Sequence, residues 1–174
     1  MAEAQRTAPE GDAVLTRIGQ AVMLHRGGDR EEARNRFALL WRELGRGGEP
    51  FHRCALAHYM ADTQDDPADE LIWDLLALAA ADALTGGATG GSTCERDAGG
   101  GAGERRPGAA AVRALYPSLH LNLAADYVKL GREEAARGQL ALARASAGAL
   151  GDDPHGDGVR AAIARLTLRL EGAA

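Results

Sequence analysis

From Asp12 onward, apolar residues return every three or four positions and rarely alternate, which is the period of a helix face and not of a strand. Val14, Ile18, Ala21 and Val22 form the first stripe and predict a helix over Ala13–His25, with Asp12 as its cap. Gly27-Gly28 stops it. Asp29 opens a second helix, and Glu32 stands where a capping-box glutamate returns a hydrogen bond. Ala33, Phe37, Leu40, Trp41 and Leu44 carry its apolar side until Gly45 and Gly47-Gly48 end it. A third helix is expected over Phe51–Thr63. Its partner begins at Asp66-Pro67, where aspartate accepts open N–H groups and proline fills a first position that needs no donor. Leu71, Ile72, Leu75, Leu76, Ala79 and Ala80 predict a broad buried face through to about Leu84, with Trp73 at its edge.

The pattern breaks at Gly86–Gly108, GGATGGSTCERDAGGGAGERRPG. Glycine offers no packing and a high ordering cost, which predicts a flexible loop over 86–108. GATGGS lacks the Lys-Ser/Thr ending and the preceding strand of a phosphate loop. Helical spacing returns near Ala110. Tyr116-Pro117 is expected to bend or restart the helix, because proline has no N–H and restricts its predecessor. Main helices follow at Leu119–Leu130 and Glu133–Ala147, then a loop at Gly148–Gly156. A last helix at about Val159–Leu170 turns Val159, Ile163, Leu166 and Leu170 to one side. Residues 1–11 read as a flexible tail and 12–174 as one all-α domain of stacked antiparallel hairpins with a C-terminal capping helix.

Two of these hairpins share a spacing. In Ala21–Phe37 and in Ser118–Leu140, a helical run ends at glycine, acidic residues open the next run, and a small residue precedes a large apolar one. A hairpin that cannot bury its apolar side alone must stack on neighbours. The segment Leu123–Gly148 resembles a tetratricopeptide repeat, through Leu123-Ala124, Tyr127, Gly131, Ala136, Leu140 and Ala143. Ala21, Leu24, Gly28, Ala33, Phe37 and Leu40 extend the likeness to the N-terminal hairpin, which departs from it at Gln20. Phe51–Leu84 is a weaker match through Tyr59, Ala68 and Ile72, with Thr63 where glycine is usual. CALAHYMADTQDDP and YPSLHLNLAADYVKLG also look like small actinobacterial proteins of this repeat type. The resemblance implies a right-handed α-solenoid whose first helices line a concave groove that takes peptides.

Composition narrows the field. With 45% apolar but only 4% aromatic residues, the core of this 174-residue chain must be built of Ala and Leu. The net charge of −5 argues against nucleic acid as a bulk partner. Arg30, Arg34 and Arg36 crowd one helix, but Glu31 and Glu32 sit among them, as on a solvated face. Cys54 and Cys94 are expected to be a reduced pair, since the core needs no staple. The N-terminus has no leader-like apolar core, and Asp74 and Asp82 interrupt the Leu71–Leu84 run. A cytoplasmic location and no membrane partner follow as expectations.

Candidate chemistry is sparse. Cys54, His58 and Asp62 share one stripe, and all three are competent zinc ligands, with His120 as a fourth. Yet a stripe of i, i+4 and i+8 spans about 12 Å on a straight helix, too far for one ion. The plainer account buries Cys54 and pairs His58 with Asp62 or with an adjacent helix. Asn122, Asp126 and Lys129 form a second polar stripe, opposite Leu119, Leu123, Tyr127 and Leu130. Ser118 and His120 diverge on a helix, and neighbours such as Cys54 and His58 seldom face each other as nucleophile and base. The acidic residues Asp62, Asp65, Asp66 and Asp69 lack the order of a calcium loop.

The reading that follows is a protein- or peptide-binding module without a cofactor. Its partner-contacting residues would be His58, Asp62, His120, Asn122, Asp126 and Lys129. Its structural repeat positions would be Gly28, Ala33, Phe37, Tyr59, Tyr127, Gly131, Ala136 and Leu140. The alternative is a structural subunit whose groove is filled by its own loop or by a second copy, as in a homodimer. A more distant one is a metal protein or hydrolase using His58 and Asp62, with Cys54 and His120 as further ligands.

Overall fold

Asp29 accepts the Glu32 N–H at 3.4 Å and so starts a helix one residue after Gly28 has ended another. Such punctuation recurs along the chain. The computed structural model describes residues 10–86 and 107–172, all of whose regular elements are helical. In order these are α1 (Glu10–Arg26), α2 (Arg30–Leu44), α3 (Pro50–Ala61), α4 (Pro67–Thr85), α5 (Pro107–Lys129), α6 (Glu133–Ser146) and α7 (Pro154–Glu171). A 3-10 turn at Ala147–Ala149 follows α6. No described helix is long and apolar enough to cross a membrane. The chain divides into two compact units, Met1–Ala77 and Leu78–Ala174.

In the first unit, α1 packs on α2, and both pack on α3. Ile18, Ala21, Val22, Ala33, Phe37, Leu40, Leu56 and Met60 form one buried cluster, with Tyr59 and Trp73 against its edge. Phe37 and Ala33 have no exposed surface, as the apolar spacing of α2 predicts. Phe37 stacks on Tyr59 with ring centres 6.3 Å apart, and Trp41 meets Trp73 edge-on at 5.1 Å. The Arg53 guanidinium lies 4.2 Å above the Trp41 ring, and it also donates to the Gly45 carbonyl. Asp12 does not cap α1, which begins two residues earlier at Glu10. Glu32 is no capping-box residue either, because its carboxylate turns to the Arg36 Nε at 2.7 Å.

The second unit is organised around α5, which packs on both α6 and α7. Ala124, Ala136, Leu140, Ala143, Leu150, Val159, Ile163, Leu166 and Leu170 form its core, with Tyr127 packed alongside. Pro117 does not restart α5, which runs unbroken from Pro107 to Lys129. The missing N–H removes one helical hydrogen bond, but tertiary contacts hold the turn: the Tyr116 hydroxyl donates to Asp82 Oδ1 at 2.7 Å and lies 3.0 Å from Thr85 Oγ1. The last helix begins at Pro154, well before Val159, because Asp153 accepts the Gly156 N–H at 2.8 Å and Pro154 fills the first position. The loop expected at 148–156 is shortened accordingly.

The turns of α1–α2 and α5–α6 share their backbone hydrogen bonds, although Asp29 caps α2 with its side chain and Arg132 makes no such bond to α6. Gly28 donates to His25 and Asp29 to Leu24, as Gly131 donates to Val128 and Arg132 to Tyr127. Gly28 and Gly131 both have left-handed φ, at 93° and 68°, which glycine adopts without steric penalty. Ala33 and Ala136 then bond back to Asp29 and Arg132 in the same register. The α3–α4 turn is built differently. Thr63 is fully buried, and its hydroxyl donates to the Met60 carbonyl at 2.7 Å.

Helix α4 departs most from expectation. Ile72, Leu75, Leu76 and Ala79 were expected inside, but they are exposed, and the buried side is Leu71, Asp74, Ala77, Ala80 and Ala81. A run apolar on nearly all sides cannot declare its inward face, and the side turned inward carries Asp74 beside small alanines. The expected flexible tail and loop lie largely outside the described residues. Glu10 and Gly11 belong to α1, and Pro107 and Gly108 to α5.

Candidate functional site

Helix α3 carries the polar group of the first unit. Glu49 accepts the His52 N–H at 2.9 Å and Pro50 takes the first position, so the start of α3 is fixed within one turn of Cys54. One turn on, His58 is half-buried. Its Nδ1 lies 3.7 Å from Oδ1 of Asp74, whose side chain is wholly buried. That separation exceeds a hydrogen bond, and neither Asp74 oxygen has a hydrogen-bond partner among the described residues, so charge attraction holds the pair. Burial is the largest single influence on His58 and lowers its pKa. The nearness and charge of Asp74, with a smaller contribution from Asp62, outweigh it, and the net shift is upward. The carboxyl of Asp62, just past α3, is raised chiefly by burial and further by Asp74 and Glu70, against the pull of His58 and His25.

Of the two pairings expected for His58, the structure shows the one with an adjacent helix: the close carboxylate is Asp74, on α4. Sequence reasoning saw Asp74 only as an interruption in an apolar run. The signal was there, since a single acid inside LIWDLLALAAA either faces water or answers a buried cation.

A second feature was missed outright. Arg30 and Arg34, read as a solvated face, both reach the α3–α4 turn. Arg30 Nε and Arg34 Nε each donate to the Thr63 carbonyl at 3.0 Å, and a terminal nitrogen of Arg34 approaches it at 2.5 Å. The same guanidinium groups hold the two oxygens of Asp65, at 2.5 and 2.8 Å. Asp65 is held below the usual carboxylate range by Arg34 first and Arg30 second. Asp66 serves as expected, accepting the Ala68 N–H at 2.8 Å. Arg36 stays on the surface with Glu32.

In the second unit, His120 Nδ1 lies 2.8 Å from Gln139 Oε1, and its ring stacks on Tyr116 at 5.9 Å. Asn122 is half-buried on the same helix. Asp126 is not on an open stripe. It is 1% exposed, and Lys129 Nζ sits 3.3 Å from its Oδ1. Lys129 itself remains largely exposed. Ser118 is buried, and its hydroxyl has no hydrogen-bond partner among the described residues.

Cys54 is wholly buried, and Cys94 lies outside the described residues. Among the described residues, no three His, Cys, Asp or Glu side chains are grouped to hold a metal ion. The chemistry on offer is hydrogen bonding and proton storage by His58 and Asp62, and hydrogen bonding by His120 and Asn122. No family model, curated protein or solved structure matches the chain.

Proposed function

We propose that this protein is an interaction module that holds a peptide or partner protein on the first helices of its hairpins, stacked as in a tetratricopeptide-like solenoid. The observation that carries the reading is the shared backbone geometry of the α1–α2 and α5–α6 turns, with a left-handed glycine and the same two backbone hydrogen bonds in each. A repeated hairpin with a repeated turn is the unit from which stacked helical arrays are made. In such an array the first helices form a concave surface. On α3 that surface would offer His58 and Asp62, and on α5 His120 and Asn122. Asp126, being buried, would act only by positioning Lys129. Binding would come from apolar anchors and from fixed polar groups that satisfy a peptide backbone, with no bond made or broken.

The test is a random peptide library selected on the intact protein, followed by affinity measurements on the winners with Asp62→Asn and Asn122→Ala. A shared consensus whose binding falls about tenfold in either variant, at unchanged thermal stability, supports the proposal. Winners indifferent to both substitutions would place the interaction elsewhere.

A further inference from the structure

Helix α4 turns an apolar stripe outward. Ile72 is 54% exposed, Leu75 42% and Leu76 36%, and they stand at i, i+3 and i+4 with exposed Ala68 one turn before Ile72. The opposite side of the same helix holds Asp74 and Ala77, wholly buried. An outward cluster of three large aliphatic side chains on one helix is the signature of a docking face.

The residues outside the described ones are poor in large apolar side chains that could cover it. Residues 1–9, 87–106 and 173–174 contain a single large apolar side chain, Met1. A second copy is a poor match as well. Helix α4 carries Asp69, Glu70, Asp74 and Asp82 and has no Lys or Arg. Two copies paired in parallel would set Asp69 against Asp69, and paired antiparallel would find no cation to place opposite it. Asp69 is exposed and lies one turn from Ile72, and it is this acid, not Asp65 (held by Arg30 and Arg34) or Asp66 (which caps α4), that flanks the stripe. An acid-flanked aliphatic stripe is complementary to a helix of the reverse pattern.

We infer that the Ile72–Leu75–Leu76 face of α4 docks a basic amphipathic helix of a partner protein, with aliphatic residues on its seam and Lys or Arg beside Asp69. This surface is separate from the polar positions of α3 and α5, and the inference does not depend on them.

Two synthetic 18-residue helical peptides test it, one with a leucine seam flanked by Lys and the other with Glu in place of Lys, both fluorescein-labelled and titrated with the intact protein. The expected result is binding of the Lys peptide about tenfold or more tighter than the Glu peptide. The Ile72→Ser/Leu76→Ser variant should lose that binding, and Ile72→Leu should keep it. These side chains are exposed, so thermal unfolding of the variants should match the parent, which separates lost docking from lost fold. Asp69→Ala should flatten the salt dependence of the Lys peptide. Equal binding by the Ser variant overturns the inference, as does the absence of binding by the Lys peptide. Sedimentation equilibrium supplies the remaining arm: a dimer that Ile72→Ser/Leu76→Ser converts to monomer would make a second copy the occupant and overturn it.

Discussion

The imidazole of His58 stands 3.7 Å from the wholly buried carboxylate of Asp74, contributed by the following helix. Because the fold raises the pKa of His58, the charged imidazole is favoured in the native state. Its stabilisation is complete below the unfolded value of about 6.5 and is lost as pH climbs through the raised native one. Replacing Asp74 with Asn leaves the burial and removes the main attraction. The His58 pKa should then drop below its ordinary value, and the stability slope attributable to it should reverse. An NMR titration of the His58 ring in both proteins decides this, and an unmoved pKa in Asp74→Asn would refute it.

Asp62 carries the opposite sign. Its native pKa is raised, so the fold disfavours its ionised form, and stability falls as pH rises from the unfolded value of about 3.9 through the native one. Asp62→Asn should remove that part of the pH dependence. It should also lower the His58 pKa, because Asp62 is one of the charges that supports it. Urea midpoints measured across mildly acidic pH check the first effect, and the ring titration checks the second.

The Thr63 carbonyl belongs to a fully buried residue and takes donors from two arginines. Removing one arginine should cost little, since the other still donates. The Arg30→Ala/Arg34→Ala pair should cost about 1–3 kcal/mol, more than the sum of the single changes, by stranding the acceptor. Asp65→Ala should have a smaller effect than the double change, because its ion pairs are exposed to solvent. Denaturant titration of the four proteins gives the comparison.

Gly28 and Gly131 have room for a Cβ, with no atom within 4 Å of one, so substitution there is penalised only through the backbone. Each change to Ala should cost about 1–2 kcal/mol, and Gly131→Asn should cost less than Gly131→Val. Gly156 differs, because a Cβ there would run into the Gly151 carbonyl oxygen. Gly156→Ala should therefore destabilise the second unit by more than Asp153→Ala, whose lost cap is worth about 1 kcal/mol. Equal thermal shifts for the two would contradict the steric account.

Phe37 is wholly buried and Leu140 is 5% exposed, and each belongs to the core of a different unit. Phe37→Ala should cost about 3–5 kcal/mol and Leu140→Ala about 2–5 kcal/mol, from lost transfer energy and the cavity left behind. Hydrogen exchange should localise the loosened amides to the first unit in one case and to the second in the other.

Helix number, the two glycine turns and the buried positions Ala33, Phe37, Ala136 and Leu140 were legible because spacing and caps are local signals. The inward face of α4 was not, because apolar residues surround it on nearly every side and the acid that lies inside faces a histidine on another helix. Pro117 was misread for a similar reason: the rule against proline is local, while the bonds from Tyr116 to Asp82 and Thr85 come from tertiary structure. The guanidinium pair at Thr63 was hidden because charge composition alone does not say what an arginine reaches. Of the six polar candidates, Asp126 proved to be interior. A polar stripe in sequence does not distinguish an open face from a satisfied one.

The thiol of Cys54, sealed from solvent within α3, gives the molecule an internal clock. An alkylating reagent can reach it only when the surrounding helices part, so its reaction rate under native conditions reports how often this region breathes. A bound ligand that steadied α3 would slow that rate, with no label attached to either molecule.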